Sequence, residues 1–245
     1  MRLFVDIGNS AVKWATAEEL ASGVVHQAAS KALPDSVAAA WREMTPPQQV
    51  HVSSVLKDSR TSELTGWIST HWKLTPVMAE SRGSELGVVN GYKRPAQLGV
   101  DRWLALLAAR ALADTAVIVV DCGSATTVDA MDAEGHHLGG VILPGLQTFR
   151  RCLLANTDIP MHEARGTINY FATDTATGIE SGAMLATAAS VEWMMGLLRE
   201  KSGSAVDCLL TGGNAKLLSG YLASPHRLMP NLILQGLALQ AGRLD

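Results

Sequence analysis

The sequence predicts an α/β fold built from two related halves, and three observations predict it. Short apolar strands alternate with helical segments along the chain, the pattern of sheets covered by helices. Two passages share one plan: Leu3-Phe4-Val5 runs into Asp6-Ile7-Gly8-Asn9-Ser10, and Val117-Ile118-Val119-Val120 runs into Asp121-Cys122-Gly123-Ser124. Their aspartates, at positions 6 and 121, stand 115 residues apart in a chain of 245, which is far too long a period for a solenoid and points to duplication of one α/β unit. The expected halves are residues 1–115 and 116–245, with their Asp-Gly hairpins facing a central cleft.

The elements follow in chain order. Val12-Lys13-Trp14-Ala15 resumes the extended pattern after the Gly-Asn turn, so the amino terminus reads as strand, tight turn, strand. Asp101 to Ala113 carries Leu104, Leu107, Ala108 and Ala111 at helical spacing. Val117–Val120 is wholly apolar, as expected of a strand buried on both faces. Gly139-Gly140 is expected to precede a strand that ends in the Pro144-Gly145 turn, and Ser181 to Arg199 reads as a long helix whose methionines are core filler. A strand at Cys208-Leu209-Leu210 runs into Thr211-Gly212-Gly213-Asn214.

Composition excludes several function classes. With 47% hydrophobic and 18% charged residues the chain is globular, not disordered. A net charge of -3 and a pI near 6.2 argue against nucleic acid or an anionic membrane as the main partner. Cys122, Cys152 and Cys208 are odd in number and widely spaced, which fits neither a disulfide framework nor a zinc knuckle. Asp6 interrupts the amino terminus before an export signal forms, and the most apolar run, Trp103–Ala113, is broken by Arg110 and is shorter than the ~20 residues a bilayer needs. A cytoplasmic protein without membrane or nucleic-acid partners is the expectation. His136 and His137 read as a solvated hairpin turn, and neighbouring strand residues point to opposite faces, which makes them poor joint metal ligands.

An Asp at the carboxyl end of a strand projects towards the place where open α/β sheets bind ligands, and the following glycine lets backbone N–H groups approach phosphate oxygens. Ser10 and Lys13 add a hydroxyl and a positive charge, and Asp6 and Asp121 are available for cations that offset phosphate charge. The same glycines can also do no more than turn hairpins; their recurrence with Asp at one offset favours phosphate binding. The Gly212-Gly213 turn is a third place where backbone can approach a ligand. In Tyr92-Lys93-Arg94-Pro95-Ala96-Gln97-Leu98-Gly99-Val100-Asp101-Arg102, a carboxylate and a guanidinium adjoin at a helix start. Asp101 can cap that helix, or accept a hydroxyl proton while Arg102 pairs with an anionic group; the residues alone weigh these equally.

Taken in order, these motifs resemble the type III pantothenate kinases, of the superfamily of acetate and sugar kinases, heat-shock chaperone ATPases and actin. The resemblance runs nearly end to end: Asp6 to Ser10 with Lys13, Tyr92, Gly99 to Arg102, Asp121 to Thr127, Gly139 to Gly145, Thr175 with Gly178 to Gly182, Thr211 to Ala215, and Asn231 to Leu237. It implies a duplicated ribonuclease H-like fold around a central nucleotide cleft, and phosphorylation of pantothenate to 4'-phosphopantothenate with ATP and Mg²⁺, the first step of coenzyme A synthesis. It also implies a homodimer and a monovalent cation, potassium or ammonium. Carried over by residue, Asp6, Ile7, Gly8, Asn9, Ser10, Ala11, Val12 and Lys13 would line the ATP phosphates and Ser124 would contact ATP. Asp121 would bind the cation; Tyr92, Gly99, Val100, Asp101, Arg102 and Thr175 would hold pantothenate; and Asp101 would accept the proton. Ser10 and Ser124 stand where the family often has threonine, which keeps the hydroxyl, and Gly178 stands where alanine is common. The alternatives are a kinase for another small hydroxylated substrate and a non-catalytic regulatory relative of the Bvg accessory factor kind.

Overall fold

Alternation of apolar residues along the amino terminus makes the first strand, β1 (Arg2–Ile7), and Gly8-Asn9-Ser10 turns it into an antiparallel partner, β2 (Ala11–Thr16). Leu3, Val5, Ile7, Val12 and Trp14 share one face, because side chains alternate along a strand. Thr16 then starts α1 (Ala17–Ala21) through a capping box: its hydroxyl accepts from Glu19 N at 3.2 Å while the Glu19 carboxylate accepts from Thr16 N at 2.8 Å. The chain continues through β3 (His26–Ala29), α2 (Asp35–Glu43), β4 (Gln49–Ser54), α3 (Ser59–Trp72) and β5 (Val77–Met78). The sheet order is β3-β2-β1-β4-β5; β2 is antiparallel to both of its neighbours, β1 and β3, while β4 runs parallel to β1 and β5 parallel to β4. Trp41, Leu64, Trp67 and Ile68 from α2 and α3 cover the Leu3–Val5–Ile7 face. Trp41 lies 5.1 Å from Trp72 and 5.6 Å from Trp67, ring centre to ring centre, so aromatic packing closes this core. A small hairpin of β6 (Ser84–Glu85) and β7 (Val88–Val89) leads to α4 (Val100–Leu112).

The computed structural model describes residues 1–56, 59–159 and 167–242. The chain divides into two units, Met1–Leu112 together with the stretch from Asn231 onward, and Ala113–Pro230. The second unit is built from β8 (Ala116–Cys122), β9 (Ala125–Met131), β10 (His137–Pro144), α5 (Leu146–Asn156), α6 (Thr175–Ser202), β11 (Val206–Thr211), α7 (Ala215–Ser219) and β12 (Arg227–Leu228). Its sheet order is β10-β9-β8-β11-β12, and the strand directions repeat those of the first sheet position for position. Met184, Val191, Met195 and Leu198 of α6 pack on Ile118, Val120 and Val128, so the methionines do fill the core. The helix is longer than the expected 181–199. Asp174 caps it by accepting from Thr177 N at 2.9 Å, and Gly203, in the left-handed region at φ 63°, ends it.

Three local expectations are corrected. Gly139 and Gly140 lie inside β10, where a register shift after His137 and the positive φ of Gly139 (111°) form a bulge. His137 is buried, 2.9 Å from the Asp129 carboxylate, while only His136 stays in the solvated turn. The last helix, α8 (Leu232–Gln240), belongs to the first unit, although its residues were expected in the 116–245 half. A Cβ at Gly236 would meet the carbonyl of Leu104, so only glycine lets α8 pack this tightly on α4. Gln240 Nε2 donates to Glu85 at 2.7 Å and Arg2 donates to the Ala241 carbonyl at 3.1 Å, which fixes the end of that helix. Among the described residues, no helix is long and apolar enough to cross a membrane.

Candidate active site

In the first unit, the residues matched to the ATP phosphates form the β1–β2 hairpin. Gly8 N donates to the Ala11 carbonyl at 3.0 Å, and a Cβ on Gly8 would stand 3.2 Å from that oxygen, so the turn is tight around the glycine. Across the sheet, Lys13 pairs with Asp6 and Asp6 pairs with Ser53, giving a polar row over β2, β1 and β4. That row lies on the face opposite the tryptophan core, since Val5, Ile7, Val12 and Val52 alternate with it. One position further in, His51 is buried beside Phe4, and burial, with the Arg2 charge second, holds its pKa below the ordinary 6.5.

The Tyr92–Arg102 segment, also in the first unit, is assembled by short-range bonds. Asn90 accepts from Tyr92 N at 3.0 Å and donates to the Arg82 carbonyl at 3.0 Å, an Asx turn legible in the Asn-x-Tyr spacing. Arg102 is buried, and it donates to the Tyr92 hydroxyl at 2.7 Å. Asp101 sits in the first turn of α4, one residue inside the helix and not at its cap, with Oδ1 accepting from Arg102 N at 2.7 Å. The positive end of the helix dipole favours a carboxylate there. A Cβ at Gly99 would stand 2.6 Å from Asp101 Oδ1, so the absence of a side chain lets the carboxylate fold back over the turn. The structure therefore brings Tyr92, Gly99, Asp101 and Arg102 together.

In the second unit, three glycine turns converge on the end of β8. Gly123 N donates to the Ala125 carbonyl at 3.0 Å, mirroring Gly8. Gly145 N and Thr148 Oγ1 donate to the Ser124 carbonyl at 3.1 and 2.7 Å, and a Cβ on Gly145 would strike the Gly123 carbonyl. Gly212, at φ 88°, follows β11, and a Cβ there would meet Asp121 Oδ1 and the Cys122 backbone. Asn214 N completes the arrangement by donating to the Cys122 carbonyl at 3.0 Å. Such crossing of side-chain-free backbone around a carboxylate suits a site for anionic oxygens and their counter-cations. Burial, and then the Asp121 and Cys208 charges, push the Cys122 thiol up to about 12, so it packs as an apolar group and is no nucleophile. Thr175 is exposed as the first residue of α6, next to the Asp174 cap. Sequence reading missed the Gly145 and Thr148 clamp on Ser124, because it joins segments some twenty residues apart whose proximity depends on the β9–β10 register.

Comparison with solved structures gives the fold. The chain is similar to a Campylobacter jejuni protein described as a Baf family transcriptional activator, with TM-score 0.61 and 19% identity over 99% of this chain and 100% of that one. It is also similar to a Sinorhizobium meliloti protein described as a 2-dehydro-3-deoxygalactonokinase, with TM-score 0.51 and 14% identity over 98% of each chain. Together with the repeated sheets, these define the duplicated ribonuclease H-like fold.

The particular family follows from sequence. The family model for type III pantothenate kinase matches residues 2–196. Type III pantothenate kinases of Azoarcus sp. and Dechloromonas aromatica are 37% and 36% identical, aligned over 98% and 97% of this chain and 90% and 97% of theirs. That of Nitrosococcus oceani is 32% identical over 97% of this chain and 92% of its own. The chain belongs to the type III pantothenate kinase family.

Proposed function

We propose that the chain transfers the γ-phosphoryl group of ATP to the primary hydroxyl of pantothenate, the first step of coenzyme A synthesis, with its own residues in the following roles. The backbone of Gly8 to Val12, with Asp6, Ser10 and Lys13, lines the ATP phosphates, and Ser124 contacts the nucleotide. Tyr92, Gly99, Val100, Arg102 and Thr175 hold pantothenate, and Arg102 pairs with its carboxylate. Asp101 orients the reacting hydroxyl and takes its proton as the oxygen attacks in line. Because the phosphoryl transition state is loose, positioning matters more than basicity, and a carboxylate of ordinary strength suffices. The observation that carries this reading is the Tyr92–Arg102–Asp101 assembly beside Gly99, in a chain of this family.

Asp6 and Asp121 are hard oxygen donors at strand ends among side-chain-free turns, which fits Mg²⁺ held directly or through water. Bound Mg²⁺ would offset charge on the phosphates. Asp121 is also the proposed ligand of potassium or ammonium, the protein is proposed to work as a homodimer, and its place is the cytoplasm. Support for the dimer comes from α6, whose outward residues Leu185, Trp193 and Leu197 are exposed, Trp193 at 72%.

ADP release measured with and without pantothenate, in potassium, ammonium and sodium, tests the reaction. ADP release that depends on pantothenate is expected, and Asp101→Asn should lower it by about a hundredfold or more while leaving the melting temperature in place. Turnover indifferent to pantothenate in every salt would overturn the reading, and near-normal turnover in Asp101→Asn would remove that residue from the mechanism.

A further inference from the structure

Ser53 is fully buried on β4, and its hydroxyl has no hydrogen-bond partner among the described residues. A buried hydroxyl in that state is rare in folded proteins and calls for an explanation. Its position supplies one. In the parallel ladder of β1 and β4, Ser53 is the direct neighbour of Asp6, on the same face of the sheet, and Lys13 flanks Asp6 on the other side. The second unit repeats the arrangement: β11 runs parallel to β8, Thr211 is the direct neighbour of Asp121, and Thr211 is likewise buried. Two sheets of one topology therefore each set a buried hydroxyl residue beside the aspartate at the strand end, on a strand that sequence separates from it by 47 residues in one half and 90 in the other (positions 6 and 53, 121 and 211).

We propose that Ser53 is a positioning residue for Asp6: its hydroxyl turns to donate to the Asp6 carboxylate, directly or through one water, when Asp6 engages the nucleotide and its cation. A serine changes rotamer at little cost, and a donor on the far oxygen of a carboxylate fixes the orientation of the near one, as outer partners do for metal-binding carboxylates. Ser53 touches neither ATP nor pantothenate in this account; it acts through Asp6. The inference rests on the reading that Asp6 lines the ATP phosphates.

The experiment compares Ser53→Ala, Ser53→Cys and Ser53→Thr with the unaltered protein and with Asp6→Asn, measuring kcat, the KM values for ATP and pantothenate, the Mg²⁺ concentration for half-maximal rate, and the melting temperature. Ser53→Cys keeps the volume and supplies only a weak donor; Ser53→Thr keeps the hydroxyl, as Thr211 does in the second unit. Loss of the donor should lower kcat/KM for ATP by about tenfold and raise the Mg²⁺ requirement, in both Ala and Cys variants, with the KM for pantothenate unchanged. The threonine variant should recover most of the loss. A merely structural serine would change the melting temperature and not the Mg²⁺ requirement. Ser53→Ala and Ser53→Cys within twofold of the unaltered protein, while Asp6→Asn is inactive, would overturn the role of Ser53 and leave that of Asp6 standing. Normal ATP kinetics in Asp6→Asn would overturn the reading of Asp6 and this inference with it.

Discussion

Two glycines with crowded Cβ positions are expected to fail in different ways. At Gly99 an added methyl would press on Asp101 Oδ1, the end of a side chain that can swing aside. Gly99→Ala should therefore melt within a few degrees of the unaltered protein while kcat drops by roughly ten- to a hundredfold, the order expected when a reacting group is displaced by about 1 Å. At Gly212 the methyl would meet the Cys122 backbone, and φ is 88°, a region costly for any side chain. Gly212→Ala should cost about 2 kcal/mol or more of stability, seen as a lower melting temperature without ligand. The strand-end aspartates and their glycines were legible in the sequence because local chemistry defines them: an apolar run, a carboxylate, a residue that permits a tight turn. Ser53 was not, since its meaning comes only from pairing with a strand far away in the chain. Nor was the burial of His137, which depends on the bulge that turns it inward to Asp129.

Among the elements, α6 was recognised from its apolar composition, while its start was missed because the cap, Asp174, lies outside the periodic run. One side chain on this helix links it to the segment before β12. Glu192 accepts from Ala223 N at 2.8 Å, Ser224 N at 2.9 Å and Ser224 Oγ at 2.6 Å. Partial burial would raise its pKa, but the bonds from Ser224 and Ala223, with the Arg199 charge, outweigh it and hold the carboxyl below the ordinary 4.5. A depressed folded pKa contributes stability that is complete above the unfolded value and disappears as pH falls through the folded one. Glu192→Gln should accordingly melt a few degrees lower than the unaltered protein at pH 7, and the gap should close progressively below pH 4.5 in thermal scans. A gap that stays constant down to acid pH would show that shape, and not charge, is what the bonds require.

For the whole molecule, duplication was legible because the two hairpins recur at half the chain length, and the sheets do repeat in order and direction. The boundary was less so. No change in composition marks the passage from Pro230 to Asn231, and the close packing of Gly236 on Leu104 is a matter of three-dimensional fit. At this scale the proposed dimer is also tested. If the outward face of α6 is the contact, Leu185→Asp with Trp193→Asp should convert a dimer of about twice the 26.0 kDa chain mass into a monomer, read by light scattering. A mass unaffected by these changes would exclude that face as the contact.

Because α8 joins the first unit only after the whole of the second has intervened in the sequence, the order of synthesis and the order of folding part company. The second unit is one continuous stretch and has all its strands once residue 230 has emerged. The first unit starts before the second in the sequence yet lacks the helix that covers α4 until Leu232–Gln240 has emerged. A nascent chain cut short before Asn231 would thus hold a finished second sheet and an uncovered first one, so the loss of α8 should disable the β1–β2 hairpin of the first unit.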